Sequence, residues 1–294
     1  MYILDTSAIQ GIARAKLELV AAKADISVST FSVLELGSHL HEEARYLRAR
    51  GNFLKCAIPS MLEDPFVLLS QRTGTQANPS RREDQIVLDQ LLEAVRQSNT
   101  LAELDQKTVT FPDGAVASCK GVGARIASGL ANEEAEFVSH IQSLATVIQL
   151  DPELNGQHTL LPENLAACLI SVIRHLNPGF NGDIQSPAFL ATVPYAGYLI
   201  HRLYKYANAR PINEVTLNVD TNDCEDAYIA SCLDICRGDT LVTNDTGTIE
   251  ALRNTISALN TVLQAPIGSS HVMSNEEFLN AMGIGPSGQA SAVP

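Results

Sequence analysis

The chain has 294 residues, 45% of them hydrophobic, and no Trp. That suffices for a substantial core, in one large α/β domain or a domain with a big insertion. Its longest apolar runs, such as 165–173, are too short to span a bilayer, and the first residues lack the basic and apolar regions of a secretion signal, so a cytoplasmic protein with no membrane partner is expected. A formal net charge of -13 counts against a tight, non-specific nucleic-acid binder, which needs cations to neutralise phosphates; it leaves room for an acidic metal site beside a local basic patch.

Residues 2–4 (YIL) read as a short buried strand, followed by Asp5-Thr6-Ser7, whose side-chain oxygens suit the start of a helix. Residues 26–30 (ISVST) read as a second strand, and Val33, Leu34, Leu36 and Leu40 predict a helix from near Phe31 to about Arg50. Between 51 and 214 the pattern changes. Residues 70–82 read as a polar loop, 83–104 as a helix and 112–129 as a Gly- and Ala-rich stretch; helical patterns return at 132–150, 162–176 and 188–209, with a loop at 177–187. Strand and helix patterns then alternate again. Residues 215–219 and 240–243 read as strands, 224–237 as a helix stopped by Gly238, and a further helix starts near 246. A last strand is predicted at 261–264, and Ser274 with Glu277 forms a capping-box pattern. The expected fold is α/β: a parallel sheet flanked by helices, built from 1–50 and 215–282, with a mainly helical insertion over 51–214 and a disordered tail over 283–294. The six cysteines are scattered, and Cys232 and Cys236 stand at helical rather than CxxC spacing, so reduced thiols are expected.

Four carboxylates stand out: Asp5 after the first strand, Glu35 on the next helix, Asp226 near the start of the helix after 223, and Asp245 after the strand at 240–243. In open parallel sheets the functional crevice lies outside the carboxyl ends of strands, which is where Asp5 and Asp245 fall. Each acid alone has a plain reading as a cap, a solvated helix residue or a turn. Jointly they suit a hard divalent cation, Mg²⁺ or Mn²⁺, which takes carboxylate and water oxygens and activates water against a phosphodiester.

These segments, ILDTSAI (3–9), TFSVLELGSHL (30–40) and DCEDAYIASCLDICRGDTLVTND (223–245), resemble the PIN-domain family in content and order. The resemblance covers roughly 1–50 and 215–265 and leaves out the middle; common PIN domains are about half this length. It implies a Mg²⁺- or Mn²⁺-dependent ribonuclease in which Asp5, Glu35, Asp226 and Asp245 are catalytic and hold the metal. Asp223 and Glu225, which flank Asp226, are alternative ligands, with Asp226 preferred because DAYIA matches the family motif, and Ser7 and Thr243 are the small polar supports. Many members are toxins paired with an antitoxin protein, so an antitoxin or a second copy of the chain joins RNA among the partners considered. The non-enzymatic alternative is a PIN-like module that binds RNA or protein.

Residues 195–210 (YAGYLIHRLYKYANAR) hold tyrosines and cations without an acid. Tyr198, Arg202, Lys205 and Arg210 are the candidates for RNA contact, by base stacking and phosphate pairing. The plainer reading is an amphipathic helix that packs Tyr198, Leu199 and Leu203 into the core. A haloacid-dehalogenase-type phosphatase would place a second Asp where Ser7 stands, and is disfavoured. So is a structure-specific DNA nuclease, which needs a basic clamp.

Overall fold

A computed structural model describes residues 1–56, 63–74, 79–150, 162–209, 222–268 and 271–284. The apolar run Tyr2–Leu4 forms β1, Ile26–Val28 forms β2, Thr240–Val242 forms β5 and Val272–Met273 forms β6. They make one parallel sheet in the order β2-β1-β5-β6. In register, Leu4 lies opposite Val28 on one side and Val242 on the other. Ile3, Leu4, Val28, Leu241 and Val242 are fully buried, as strands covered on both faces must be. The two interior strands, β1 and β5, therefore end side by side. Asp5 leaves one and Thr243 the other.

Helices α1 (Thr6–Gly11) and α2 (Arg14–Ala21) carry the chain from β1 to β2. After β2, Ser29 caps α3 (Thr30–Leu34) by accepting from the Phe31 N–H. The chain then widens into a π-helical turn over Glu35–His39 and restarts as α4 (Glu43–Cys56). The single helix predicted from Phe31 to Arg50 thus changes to π geometry at Glu35, the position of interest, and is interrupted over 40–42. π-turns are uncommon and occur often at functional sites.

Helices α5 (Pro65–Thr73), α6 (Pro79–Gln97) and α7 (Leu101–Asp105) follow, so much of the loop predicted at 70–82 is helical. Strands β3 (Thr108–Thr110) and β4 (Val116–Ser118) pair as an antiparallel hairpin, a feature not predicted for the insertion. The insertion is otherwise helical where described: α8 (Cys119–Leu150), α9 (Pro162–Leu176) and α10 (Pro187–Ala209). Helix α11 (Asn222–Ser231) is shorter than predicted; a 3-10 turn at Ile235–Arg237 completes the stretch, and Gly238 ends it at φ 73°, as the stop signal predicted. Helix α12 (Thr246–Leu259) packs on α10, and the predicted capping box of Ser274 and Glu277 opens α13 (Asn275–Ala281).

The last strand is displaced from its predicted place. Residues 261–264 form a turn and bend after α12, and the sheet is completed instead by β6 at Val272–Met273. Gly283 (φ 68°) ends α13, and Ile284 folds back with its N–H on the Leu279 carbonyl, so the first residues of the expected tail are packed. The predicted strand at 215–219 and the tail over 285–294 lie outside the described residues.

One apolar cluster joins the sheet to the insertion: Leu4, Val28, Leu241 and Leu252 share it with Leu91, Leu169, Phe189 and Val193. Polar ties reinforce the join. The Arg72 guanidinium of α5 donates to the carbonyls of Ser231, Cys232 and Leu233 at the end of α11, where the helix leaves carbonyls unpaired and favours a cation. Cys119, Cys168, Cys224, Cys232 and Cys236 are free thiols. Among the described residues no helix is long and apolar enough to cross a membrane.

Candidate active site

The site grows from the ends of β1 and β5. Asp5 is the N-cap of α1, with Oδ1 accepting from the Thr6 N–H. Its Oδ2 accepts from Ser7 Oγ (2.8 Å) and Thr243 Oγ1 (2.7 Å). The Asn244 and Asp245 N–H groups in turn donate to Ser7 Oγ and Thr243 Oγ1. One hydrogen-bonded patch therefore ties the end of β1 to the end of β5, and both residues expected to support the acids belong to it. Asp245 caps α12 by accepting from the Thr248 N–H.

The remaining acids come from the π-turn and from α11. Burial raises the Asp5 carboxyl, against the hydrogen bonds from Thr243 and Ser7. Burial first, and then the charge of Asp5 with those of Glu225 and Asp226, pushes Glu35 up to about 8. Burial, then the charges of Asp5 and Asp245, pushes Asp226 up to about 8 as well. Asp5, Glu35, Asp226 and Asp245 are thus linked through shared electrostatic neighbours. Glu225, buried beside Asp226, adds a further acid.

Asp223, the first of the alternative ligands, faces elsewhere. It is 2% exposed, and its Oδ1 accepts from Arg202 Nε (2.7 Å) and Tyr198 Oη (3.0 Å). The Tyr198 hydroxyl also lies 3.2 Å from Asp226 Oδ2. Arg202 Nη2 donates to Tyr206 Oη (2.6 Å). The same guanidinium lies against the first turn of α12, where a Cβ on Gly247 would stand 3.0 Å from Arg202 Nη1 and 3.2 Å from Asp245 Oδ1.

The RNA-contact set from 195–210 is reassigned by this geometry. Tyr198 is 1% exposed, so its ring is core and has no face to offer a base. Arg202 is committed to Asp223, and Lys205 pairs with Glu250 at the surface. Arg210 lies outside the described residues. The spacing carried the signal: Tyr198, Arg202 and Tyr206 stand four apart and share one helix face, which here meets the acids of α11.

Among the described residues no three Asp, Glu, His or Cys side chains already stand as a metal cage. The donor set is all oxygen, which suits Mg²⁺ or Mn²⁺; such ions need only one or two carboxylates and keep several waters. A cation would also relieve the repulsion that holds Glu35 and Asp226 up. No family model, no curated protein and no solved structure matches the chain.

Proposed function

We propose that the chain is a metal-dependent endoribonuclease of PIN type that hydrolyses RNA phosphodiesters. The observation that carries this reading is the placing of Asp5 and Asp245 just after the adjacent strands β1 and β5, tied through Ser7 and Thr243, with Glu35 within the electrostatic reach of Asp5 and Asp226 within that of both. These four residues would hold Mg²⁺ or Mn²⁺, and the cation supplies a bound water of lowered pKa and positive charge at the phosphate. Ser7 and Thr243 fix Asp5 through Oδ2, so that carboxylate does not have to be reoriented. Glu35 and Asp226, with carboxyls at about 8, give up their protons as the cation arrives, so binding is tighter at higher pH. RNA as substrate, a toxin-like or RNA-processing role and an antitoxin partner follow from the resemblance of the acidic segments to PIN domains.

The test is cleavage of RNA by the purified protein with and without Mn²⁺, beside Asp5→Asn. Cleavage that needs Mn²⁺ and falls by on the order of 10²-fold or more in the variant, the scale of removing one electrostatic stabiliser, is expected. Asp5→Asn that cleaves as fast as the parent at saturating Mn²⁺ would reject the mechanism and favour a PIN-like binding module.

A further inference from the structure

The inserted helix α10 reaches the acids of α11 through one buried hydroxyl. Tyr198 Oη lies 3.0 Å from Asp223 Oδ1 and 3.2 Å from Asp226 Oδ2, and Arg202, one turn later on α10, donates from Nε to the same Asp223 Oδ1 at 2.7 Å. We propose that Tyr198, braced by the Arg202–Asp223 pair, is a positioning residue that fixes the Asp226 carboxylate for the divalent cation. This rests on the reading of Asp226 as a cation ligand.

The burial of the group is the first argument. A phenol hydroxyl taken out of water costs free energy unless it is hydrogen-bonded, and Phe would fill the same space without that cost. Here the hydroxyl is set between two carboxylates of one helix. Its single proton serves one of them at a time. Asp223 already receives Arg202 and stays anchored without it, whereas Asp226 is braced at Oδ2 by the Tyr198 hydroxyl. Holding Oδ2 sets the rotation of the carboxyl group about its Cβ–Cγ bond, and so the direction in which Oδ1 is presented.

The placement of the charges is the second argument. Asp223, Glu225 and Asp226 lie within one turn of α11, and three like charges there repel. Arg202 compensates the innermost, Asp223, with 17% of its own side chain exposed. That leaves two α11 acids in the field of the site: Glu225, which acts on Glu35, and Asp226, half-buried, within the field of Asp5 and Asp245 and the one of the two that the Tyr198 hydroxyl touches. The insertion thus sorts two neighbouring Asp residues into an anchor and a ligand. Gly247 permits it, because a side chain there would meet Arg202 Nη1.

The experiment is a calorimetric titration of Mn²⁺ into the full chain, the parent beside Tyr198→Phe and beside the double variant Arg202→Gln/Asp223→Asn, with thermal unfolding in chelator as the control for folding. Partners that orient a metal ligand contribute about tenfold or more to affinity, so Tyr198→Phe is expected to raise the Mn²⁺ Kd by about that factor. The KM for RNA should hold, and cleavage should return when Mn²⁺ is raised in proportion. The double variant keeps a neutral pair in place of the ion pair and is expected to weaken Mn²⁺ too; it decides the matter should Tyr198→Phe fail to fold. A variant that melts earlier but binds Mn²⁺ with the parent's Kd would show a merely structural hydroxyl and overturn the role. A flat titration for the parent would overturn the cation site itself, a different result from normal parent binding left unchanged by Tyr198→Phe.

Discussion

Glu35 and Asp226 couple the site to the stability of the whole chain. Their carboxyls titrate at about 8 in the folded protein, against ordinary values of 4.5 and 3.8. Between those limits the folded chain holds more protons than the unfolded chain, so stability falls as pH rises through the interval. It is greatest below the ordinary values, and the contribution is fully lost above about 8, where both acids are charged beside Asp5. In chelator, the melting temperature is therefore expected to be higher near pH 6 than near pH 9, and Mn²⁺ is expected to narrow the gap by replacing the protons. A melting temperature that rises over that span would contradict the electrostatics described for the site. Asp5→Asn belongs to the same argument. Asn serves as well as Asp at an N-cap, and its amide can donate to Ser7 Oγ or Thr243 Oγ1, which as hydroxyls also accept. With one fewer charge near Glu35 and Asp226, the variant should melt no lower than the parent without metal near pH 8, and should lack the gain in melting temperature that the proposed site predicts for the parent in Mn²⁺. Melting curves in chelator and in Mn²⁺ check both halves.

Helix α10 approaches α12 so closely that only glycine fits at one crossing. A Cβ at Gly197 would overlap Thr255 Cγ2, and Thr255 Oγ1 already donates to the Gly197 carbonyl at 3.3 Å. Thr255 is β-branched and cannot swing away. Gly197→Ala should therefore destabilise the protein by about 1–3 kcal/mol, the usual cost of overpacking, and adding Thr255→Ser, which deletes the offending methyl, should recover part of the loss; denaturant titration of the three variants measures it. At this scale the sequence was legible where local signals and tertiary context agree. Strands β1 and β5 are short apolar runs closed by polar residues, the Gly238 stop and the Ser274 box are local, and all four were readable. The last strand was not. Residues 261–264 are the more strand-like in composition, yet they close a turn in which Asn260 pairs through its side chain with both backbone groups of Ile267. Pairing with Leu241 and Val242 then selects Val272 and Met273, two residues too few to carry a pattern. The β3–β4 hairpin did carry one: Pro112-Asp113-Gly114 is a turn signal, and Gly114 sits at φ 83°, but the small residues after it hid the strand. The acids were legible as a set, from their order along the chain. The π-turn at Glu35 with the break over 40–42, and the setting of the Tyr198 hydroxyl between two acids of α11, were not, because each depends on what packs opposite.

The insertion and the two ends of the chain share one apolar core, so they should behave as one thermodynamic unit. Leu169 lies at the heart of α9, fully buried in the cluster that also holds Leu4 and Leu241 of the sheet. Truncating a buried Leu to Ala costs about 2–5 kcal/mol, transfer and cavity terms together. If the insertion were an independent domain, that cost would be felt within it alone, and the strands would open as before. In a single cooperative unit the slowest amides exchange only by global unfolding, and their protection tracks the global free energy. The amides of Leu4 and Leu241 belong to the two interior strands of the sheet and should be among the slowest. Leu169→Ala is therefore expected to speed hydrogen exchange in peptides covering 2–4 and 240–242 as much as in peptides covering 162–176. The unfolding midpoint should also fall by the same amount whether followed by backbone or by tyrosine circular dichroism. Faster exchange confined to the insertion would show two units. Excising the insertion would then be a workable route to a minimal acidic site, whereas one shared core predicts that excision exposes Val28, Leu252 and their neighbours and yields insoluble protein.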